Sequence, residues 1–253
     1  MSGSLAVVGL GPGDPNLLTD AARRALDGAQ DLVGYGPYVA RVPERPGLTR
    51  HASDNRVEID RARHALGLAA AGRSVAVVSG GDPGVFAMAA AVFEAVEHGE
   101  PGWRDLAITV EPGITAMLAA AARLGAPLGG DFCALSLSDN LKPWPVLTAR
   151  LEAVLRADLV VALYNPISSA RPWQLGAALD VAAAIRAPDT PVVFARAVSR
   201  PDEAIRVTTL GQARETPADM ATLVILGASG TRLIPREGRS PFVYTPRGVV
   251  GAA

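Results

Sequence analysis

Three times in the first half of the chain, a short apolar run stops at a glycine-bearing turn and a helical pattern follows. Leu5-Ala6-Val7-Val8 enters Gly9-Leu10-Gly11-Pro12-Gly13-Asp14-Pro15. Val75-Ala76-Val77-Val78 enters Ser79-Gly80-Gly81-Asp82-Pro83-Gly84-Val85-Phe86, and Leu106 to Val110 enters Glu111-Pro112-Gly113-Ile114-Thr115-Ala116. A buried strand, a glycine turn and a helix start let backbone N–H groups face a small ligand. In the middle stretch Gly80 and Gly81 permit close approach of the main chain, and Pro83 fixes the turn and removes one donor. Asp82 is its only charge, which suits a hydroxyl, ammonium or sulfonium group better than a phosphate. A plain strand–helix turn of an α/β domain has the same layout.

The Gly9/Gly11 pair invites a dinucleotide reading, but that pattern needs a third glycine where Asp14 stands. Pro12 also removes a phosphate-facing N–H. A nicotinamide or flavin site is not expected here.

The rest of the chain continues the alternation. A helix is expected from Asn16 through Leu26. Leu32 to Val39 is a short strand and turn carrying Tyr35 and Tyr38, candidates for an apolar wall against a flat ligand. His51-Ala52-Ser53-Asp54-Asn55-Arg56 precedes a helix over about residues 57–71, with Asp54 or Asn55 as its N-cap and Arg56, Glu58 and Arg61 on a solvated face. Helices are expected over Ala87–Glu97 and Met117–Leu124. Thr115 stands at a helix start, where its hydroxyl caps the helix or binds a ligand. Asp131 to Leu137 alternates as a strand, a polar loop Ser138 to Pro145 follows, and Val146–Arg156 is a helix. Leu159–Leu163 is an apolar strand ending in Tyr164-Asn165-Pro166. Arg171–Arg186 is helical, Pro191–Ala197, Ile205–Thr209 and Leu223–Leu226 are strands, and the tail from Gly227 is a surface segment. The class is α/β. Two lobes are expected, residues 1–112 and 113–253, with no Ser/Gly linker between them.

Composition removes several function classes. Of 253 residues, 49% are apolar, enough for a sizeable core; a net charge of −1 and 5% aromatics argue against nucleic-acid binding. A lone cysteine, Cys133, fits a reducing compartment without a disulfide framework. The first ten residues have no secretory pattern and no apolar run reaches membrane-spanning length, so a cytoplasmic protein is expected. The three histidines, His51, His64 and His98, are scattered and give no metal-ligand spacing. A Gly-x-Ser-x-Gly elbow is absent.

The three glycine motifs, in this order and at about this spacing, resemble those of the tetrapyrrole (corrin/porphyrin) methyltransferases, and the likeness spans roughly residues 5 to 230. Val33-Gly34-Tyr35, Ser53 to Glu58, Asp131 to Asp139 and Leu163-Tyr164-Asn165-Pro166 are similar to the members that methylate C17 of a precorrin and contract the macrocycle. Members often carry a histidine before Asp-Phe-Cys; Gly130 stands there in this chain. The resemblance implies two α/β lobes in a homodimer, with S-adenosyl-L-methionine in a cleft between lobes and S-adenosyl-L-homocysteine as product. It implies that Gly80, Gly81 and Asp82 line the methionine end, followed by Val85 and Phe86, with Thr115 and Ala116 beside it. Asn165, Ala197 and Thr222 resemble adenosine-side contacts, and Pro12 the floor of the substrate trough. Hand-over contacts with neighbouring pathway enzymes are a further expectation.

Methyl transfer from a sulfonium needs alignment more than a nucleophilic side chain. Ring contraction also needs a hydroxyl proton removed, hence a group that works as acid or base. Asp139, in the polar loop after a strand, is the leading candidate; an Asx turn is its structural alternative. His51 and Tyr164 follow. The substrate's carboxylates suit arginine forks, for which Arg56, Arg171 and Arg196 stand near loops, and Tyr35 is a wall candidate. Other readings are a sister methylation at a different ring carbon and a precorrin carrier that transfers no methyl.

Overall fold

The computed structural model describes residues 3–54, 57–168 and 170–248. The chain divides into two compact units, Met1–Thr115 and Ala116–Ala253. The division falls after Thr115 rather than after Pro112 because Gly113 is packed into the first unit, against Gly9 and Gly81.

The first unit holds five parallel strands, β1 (Ser4–Gly9), β2 (Asp31–Tyr35), β3 (Thr49–Ser53), β4 (Ser74–Ser79) and β5 (Ala107–Glu111), in the order β3-β2-β4-β1-β5. Side chains alternate across a strand, so each strand feeds two faces. Leu5, Val7, Val33, Val75 and Val77 pack against α3 (Glu58–Ala70) and α4 (Met88–His98). Val8, Leu32, Ala76 and Val78 pack on the other face against α1 (Asp20–Gly28) and Val39 of the short α2 (Gly36–Val39). β1 and β4 are neighbours, yet the chain leaves β1 for the α1 face and β4 for the α4 face. That divergence places a switch point at their carboxyl ends, the usual ligand position in an open α/β sheet.

The second unit has the order β10-β9-β11-β8-β7. Its strands are β7 (Phe132–Ser136), β8 (Val160–Tyr164), β9 (Pro191–Arg196), β10 (Ala204–Thr209) and β11 (Thr222–Leu226). β7 and β8 are parallel, β11 runs against both β8 and β9, and β10 runs against β9. Helices α6 (Trp144–Arg156) and α7 (Gln174–Ala183) cover one face through Leu151, Leu155, Leu175 and Leu179. This arrangement brings the carboxyl ends of β7, β8 and β9 and the start of β11 to one edge.

Several local expectations are corrected. The first helix is interrupted: a 3-10 turn at Pro15–Leu17 precedes α1, whose N-cap is Thr19, with its hydroxyl accepting from Ala22 N at 3.1 Å. The polar Thr49–Ser53 run forms edge strand β3. The N-cap of α3 is Val57, which supplies no side-chain cap, so Asp54 does not cap it; Asn55 and Arg56 lie outside the described residues. The helix read as starting at Arg171 begins at Gln174. The tail is not a plain surface segment. β12 (Arg232–Arg236) and β13 (Arg239–Tyr244) form a hairpin that pairs with β6 (Gly125–Ala126), just after α5 (Ala116–Leu124). Thr245 anchors it by donating to Pro127 O at 2.7 Å and sharing a hydrogen bond with Thr231.

Candidate active site

In the first unit the three glycine motifs meet. Gly11 and Gly81 exchange two main-chain bonds, Gly11 N to Gly81 O at 3.1 Å and Gly81 N to Gly11 O at 2.9 Å, a bridge outside the sheet at the β1/β4 divergence. Side chains would prevent this. A Cβ on Gly113 would stand 2.2 Å from Gly81 O, and one on Gly9 would stand 2.7 Å from both Gly113 N and Gly81 O. Gly80 lies under the Tyr38 ring, 2.8 Å from where its Cβ would be. The motifs are thus glycine-rich because three backbones touch one another.

Asp82, expected to face a ligand, ties two of these turns together. Its Oδ2 accepts from Gly113 N at 3.0 Å and its Oδ1 from Gly84 N at 2.8 Å. Thr115, two residues past Gly113, is buried. Asp82 and the Gly113–Thr115 turn therefore stand together at the carboxyl ends of β4 and β5. Val85 is half-buried, and Phe86 is exposed with φ at +53°. Pro12 is buried within its turn. Tyr35 stacks edge-on with Tyr38, ring centroids 5.5 Å apart.

Two arginines serve this region that the sequence did not single out for it. Arg41 donates to Leu10 O and Gly11 O, at 2.7 and 3.0 Å, and so holds the first turn. Arg61, expected on a solvated face, is buried: it donates to Ser53 Oγ at 2.8 Å, Asp54 O at 2.6 Å and the Met88 sulfur at 3.3 Å. Burial lowers its pKa, against the opposing pull of Glu58, Tyr35 and Tyr38. The signal was available, since Arg61 falls on the stripe formed by Ala62, Ala65, Leu66 and Ala69.

His51, a candidate acid or base, has both ring nitrogens engaged: Nε2 with Asp31 Oδ1 at 2.8 Å and Nδ1 with His64 Nε2 at 3.0 Å. Arg73 Nε donates to the other Asp31 oxygen at 2.7 Å. Burial raises the Asp31 pKa, but Arg73 and His51 outweigh it and the net shift is downward. His51 lies in the first unit, whereas Asp139 and Tyr164 lie in the second.

In the second unit the expected residues gather at the edge where β7, β8 and β9 end. The Tyr164 hydroxyl accepts the Met117 N–H at 3.1 Å, capping α5 and bringing Ala116 to the end of β8. Asn165 has φ at +51° and donates from Nδ2 to Ser136 Oγ at 3.0 Å. Ala197 has φ at +48° and donates its N–H to Ala221 O at 2.9 Å, beside Thr222. Thr222 is buried, with its hydroxyl donating to Asp219 Oδ1 at 2.9 Å. Arg196 is not a free fork: it binds Asp219 at 2.6 Å and Asp202 at 2.8 Å. Burial raises the Asp219 pKa, but Arg196, Thr222 and the Ala221 N–H more than compensate. Five non-glycine residues among those described have positive φ, and Phe86, Asn165 and Ala197 are three of them. Such backbone strain gathers at functional sites.

Asp139 sits in a polar knot. Its Oδ1 is 3.7 Å from Arg171 Nη1 and its Oδ2 accepts from Gln174 Nε2 at 3.2 Å. Arg171 also donates to Ser138 Oγ and, at 3.3 Å, to Ser168 Oγ. Arg171 is thus linked to the candidate acid/base through Nη1 while Ser168 holds its Nε, a link the sequence did not suggest. Gly130 faces the tail: a Cβ there would lie 3.0 Å from Pro246 O and from the Thr245 methyl. Among the described residues no group of three or more His, Cys, Asp or Glu can hold a metal ion, and no helix is long and apolar enough to cross a membrane.

The chain is similar to several known proteins. A precorrin-3B C(17)-methyltransferase from Sinorhizobium sp is 54% identical over 253 residues, covering all of both chains. A crystal structure of the methyltransferase CobJ superposes with a TM-score of 0.90 at 52% identity, covering 97% of this chain and 100% of that one. The uroporphyrin-III C-methyl transferase of Thermus thermophilus, complexed with S-adenyl homocysteine, gives a TM-score of 0.68 at 26% identity over 89% of this chain and 97% of that one. The family model for Tetrapyrrole (Corrin/Porphyrin) Methylases matches residues 4–214, and with glycine turns laced at a sheet's switch point the chain belongs to that family.

Proposed function

We propose that this chain methylates precorrin-3B at C17, using S-adenosyl-L-methionine, and contracts the ring to precorrin-4 in cobalamin biosynthesis. The observation that carries this reading is the 54% identity to the Sinorhizobium enzyme over the whole of both chains. The residues present fit the cofactor: a left-handed glycine turn at Gly81, and strained backbone at Phe86, Asn165 and Ala197. Gly80, Gly81, Asp82, Val85 and Phe86 hold its methionine end with Thr115 and Ala116; Asn165, Ala197 and Thr222 hold the adenosine. When bound, it supplies an electrophilic methyl group and leaves as S-adenosyl-L-homocysteine.

The chain's contribution is alignment, which supplies as much as about 7–11 kcal/mol of a barrier when reactants are well oriented. The Gly11–Gly81 bridge and the Asp82–Gly113 tie hold the turns before a ligand arrives, so little ordering is left to binding. Asp139 works as the acid or base for contraction, taking the hydroxyl proton. Tyr164 and His51 are weaker candidates because the Tyr164 hydroxyl caps α5 and the His51 ring is engaged twice. Pro12 and Tyr35 line the macrocycle, and Arg56 and Arg171 meet its carboxylates, Arg171 through Nη2. The protein works in the cytoplasm as a homodimer and passes product to neighbouring enzymes.

The test is incubation with precorrin-3B and methyl-labelled cofactor, followed by product mass and NMR. One labelled methyl at C17 of a contracted ring is expected. A methyl at another carbon makes the chain a sister enzyme, and no transfer makes it a carrier. Asp139→Asn should slow contraction about 100-fold while leaving S-adenosyl-L-homocysteine affinity unchanged; full turnover would remove Asp139 from the mechanism.

A further inference from the structure

Gln174 is the most deeply buried polar side chain near the candidate acid/base, at 1% exposure, and it is the first residue of α7. Its Nε2 donates to Asp139, while its Oε1 is buried with no hydrogen-bond partner. A buried amide oxygen without a partner costs about 1–3 kcal/mol, so its retention calls for a physical reason. The neighbouring side chains are tied to other partners. Arg171 is fixed by Ser138 and Ser168, and Trp173, just before α7, packs edge-on against Trp144 at the start of α6, centroids 4.8 Å apart. Asp139 therefore has a rigid partner on Oδ1 and an amide on Oδ2.

We infer that Gln174 is a positioning residue that accommodates Asp139 in both of its protonation states; the inference rests on Asp139 being the acid/base. An amide carries both a donor and an acceptor at nearly the same place. Before proton transfer, Nε2 donates to the carboxylate. In the transfer, the O–H bond of a substrate hydroxyl breaks, its electron pair stays on the substrate oxygen, and the proton forms an O–H bond on Asp139. A turn of the amide about its terminal torsion then presents Oε1, which accepts from the new carboxyl group. The orphaned acceptor is thus the group the protonated state uses. Arginine cannot do this, having donors only, so Arg171 anchors the carboxylate and Gln174 follows its proton.

The experiment compares Gln174→Leu, Gln174→Glu and Asp139→Asn in the full-length protein with precorrin-3B, reading turnover against pH and S-adenosyl-L-homocysteine affinity. Gln174→Leu should slow contraction about tenfold with cofactor affinity unchanged. Gln174→Glu keeps the shape of the side chain and sets a second carboxyl beside the first, so the acid limb of its pH profile should move up by about one unit. A residue that only fills space would not move that limb, and the Glu variant keeps the test open if the Leu variant fails to fold. Wild-type rates and pH profiles in both Gln174 variants, with Asp139→Asn slow, would overturn this inference alone. Full turnover in Asp139→Asn would overturn the reading beneath it.

Discussion

At the scale of single residues, the decisive positions are those where an atom is missing. Gly9 and Gly113 have side-chain positions already occupied by each other's backbone and by the Gly81 carbonyl. Gly113→Ala places a methyl 2.2 Å from the Gly81 carbonyl oxygen. Overpacking of this kind costs about 1–3 kcal/mol, and the relief available is displacement of the β4 turn. Denaturant unfolding should show that loss, and calorimetric titration should show S-adenosyl-L-homocysteine affinity reduced by more than about tenfold. Unchanged affinity would mean that the turn does not hold the cofactor. The sequence made these glycines legible as motifs, because each ends an apolar run. It did not show that Asp82 also ties two turns together: one partner of its carboxylate is Gly113, 31 positions away. Pairings at that distance depend on strand order, which no local pattern encodes.

At the scale of elements, legibility followed burial. β4, β8 and β9 are almost continuous buried runs and were readable as such, as was β1, buried from Val7 to Gly9. β3 was not, because the edge strand Thr-Arg-His-Ala-Ser carries polar groups that its neighbours satisfy. Those groups include His51, which with Arg73 holds Asp31 across β2, β3 and the α3–β4 turn. The folded Asp31 pKa lies below its ordinary value, so between the two values the unfolded chain binds more protons and stability rises with pH. The contribution is complete above about pH 4 and is lost as pH falls further. Asp31→Asn should therefore be destabilised by about 2–3 kcal/mol at pH 7, with a narrower gap to wild type at pH 3. Urea midpoints at the two pH values measure this; a gap independent of pH would contradict it. β12 and β13 escaped notice for a different reason: Arg, Pro and Gly interrupt the apolar residues of Arg232–Tyr244. Their partner, β6, is only two residues long.

At the scale of the whole molecule, each of the two units carries its own cluster of candidate residues, and ligand binding can be read through stability. If the cofactor product binds the folded chain alone, a concentration 100 times its Kd adds about 2.7 kcal/mol. For a chain of this size that corresponds to a rise in Tm of about 5–10 °C. Differential scanning fluorimetry with S-adenosyl-L-homocysteine checks it, and a flat melting temperature would count against cofactor binding. The hydrogen bond from Thr245 to the Pro127 carbonyl joins positions 118 apart, while β13 lies along β6. The last described strand is therefore a clasp on the entrance to the second unit. An exopeptidase trimming inward should meet long resistance up to Thr245 and then degrade the unit in one step, so intact chains and small fragments should share the gel with few intermediates.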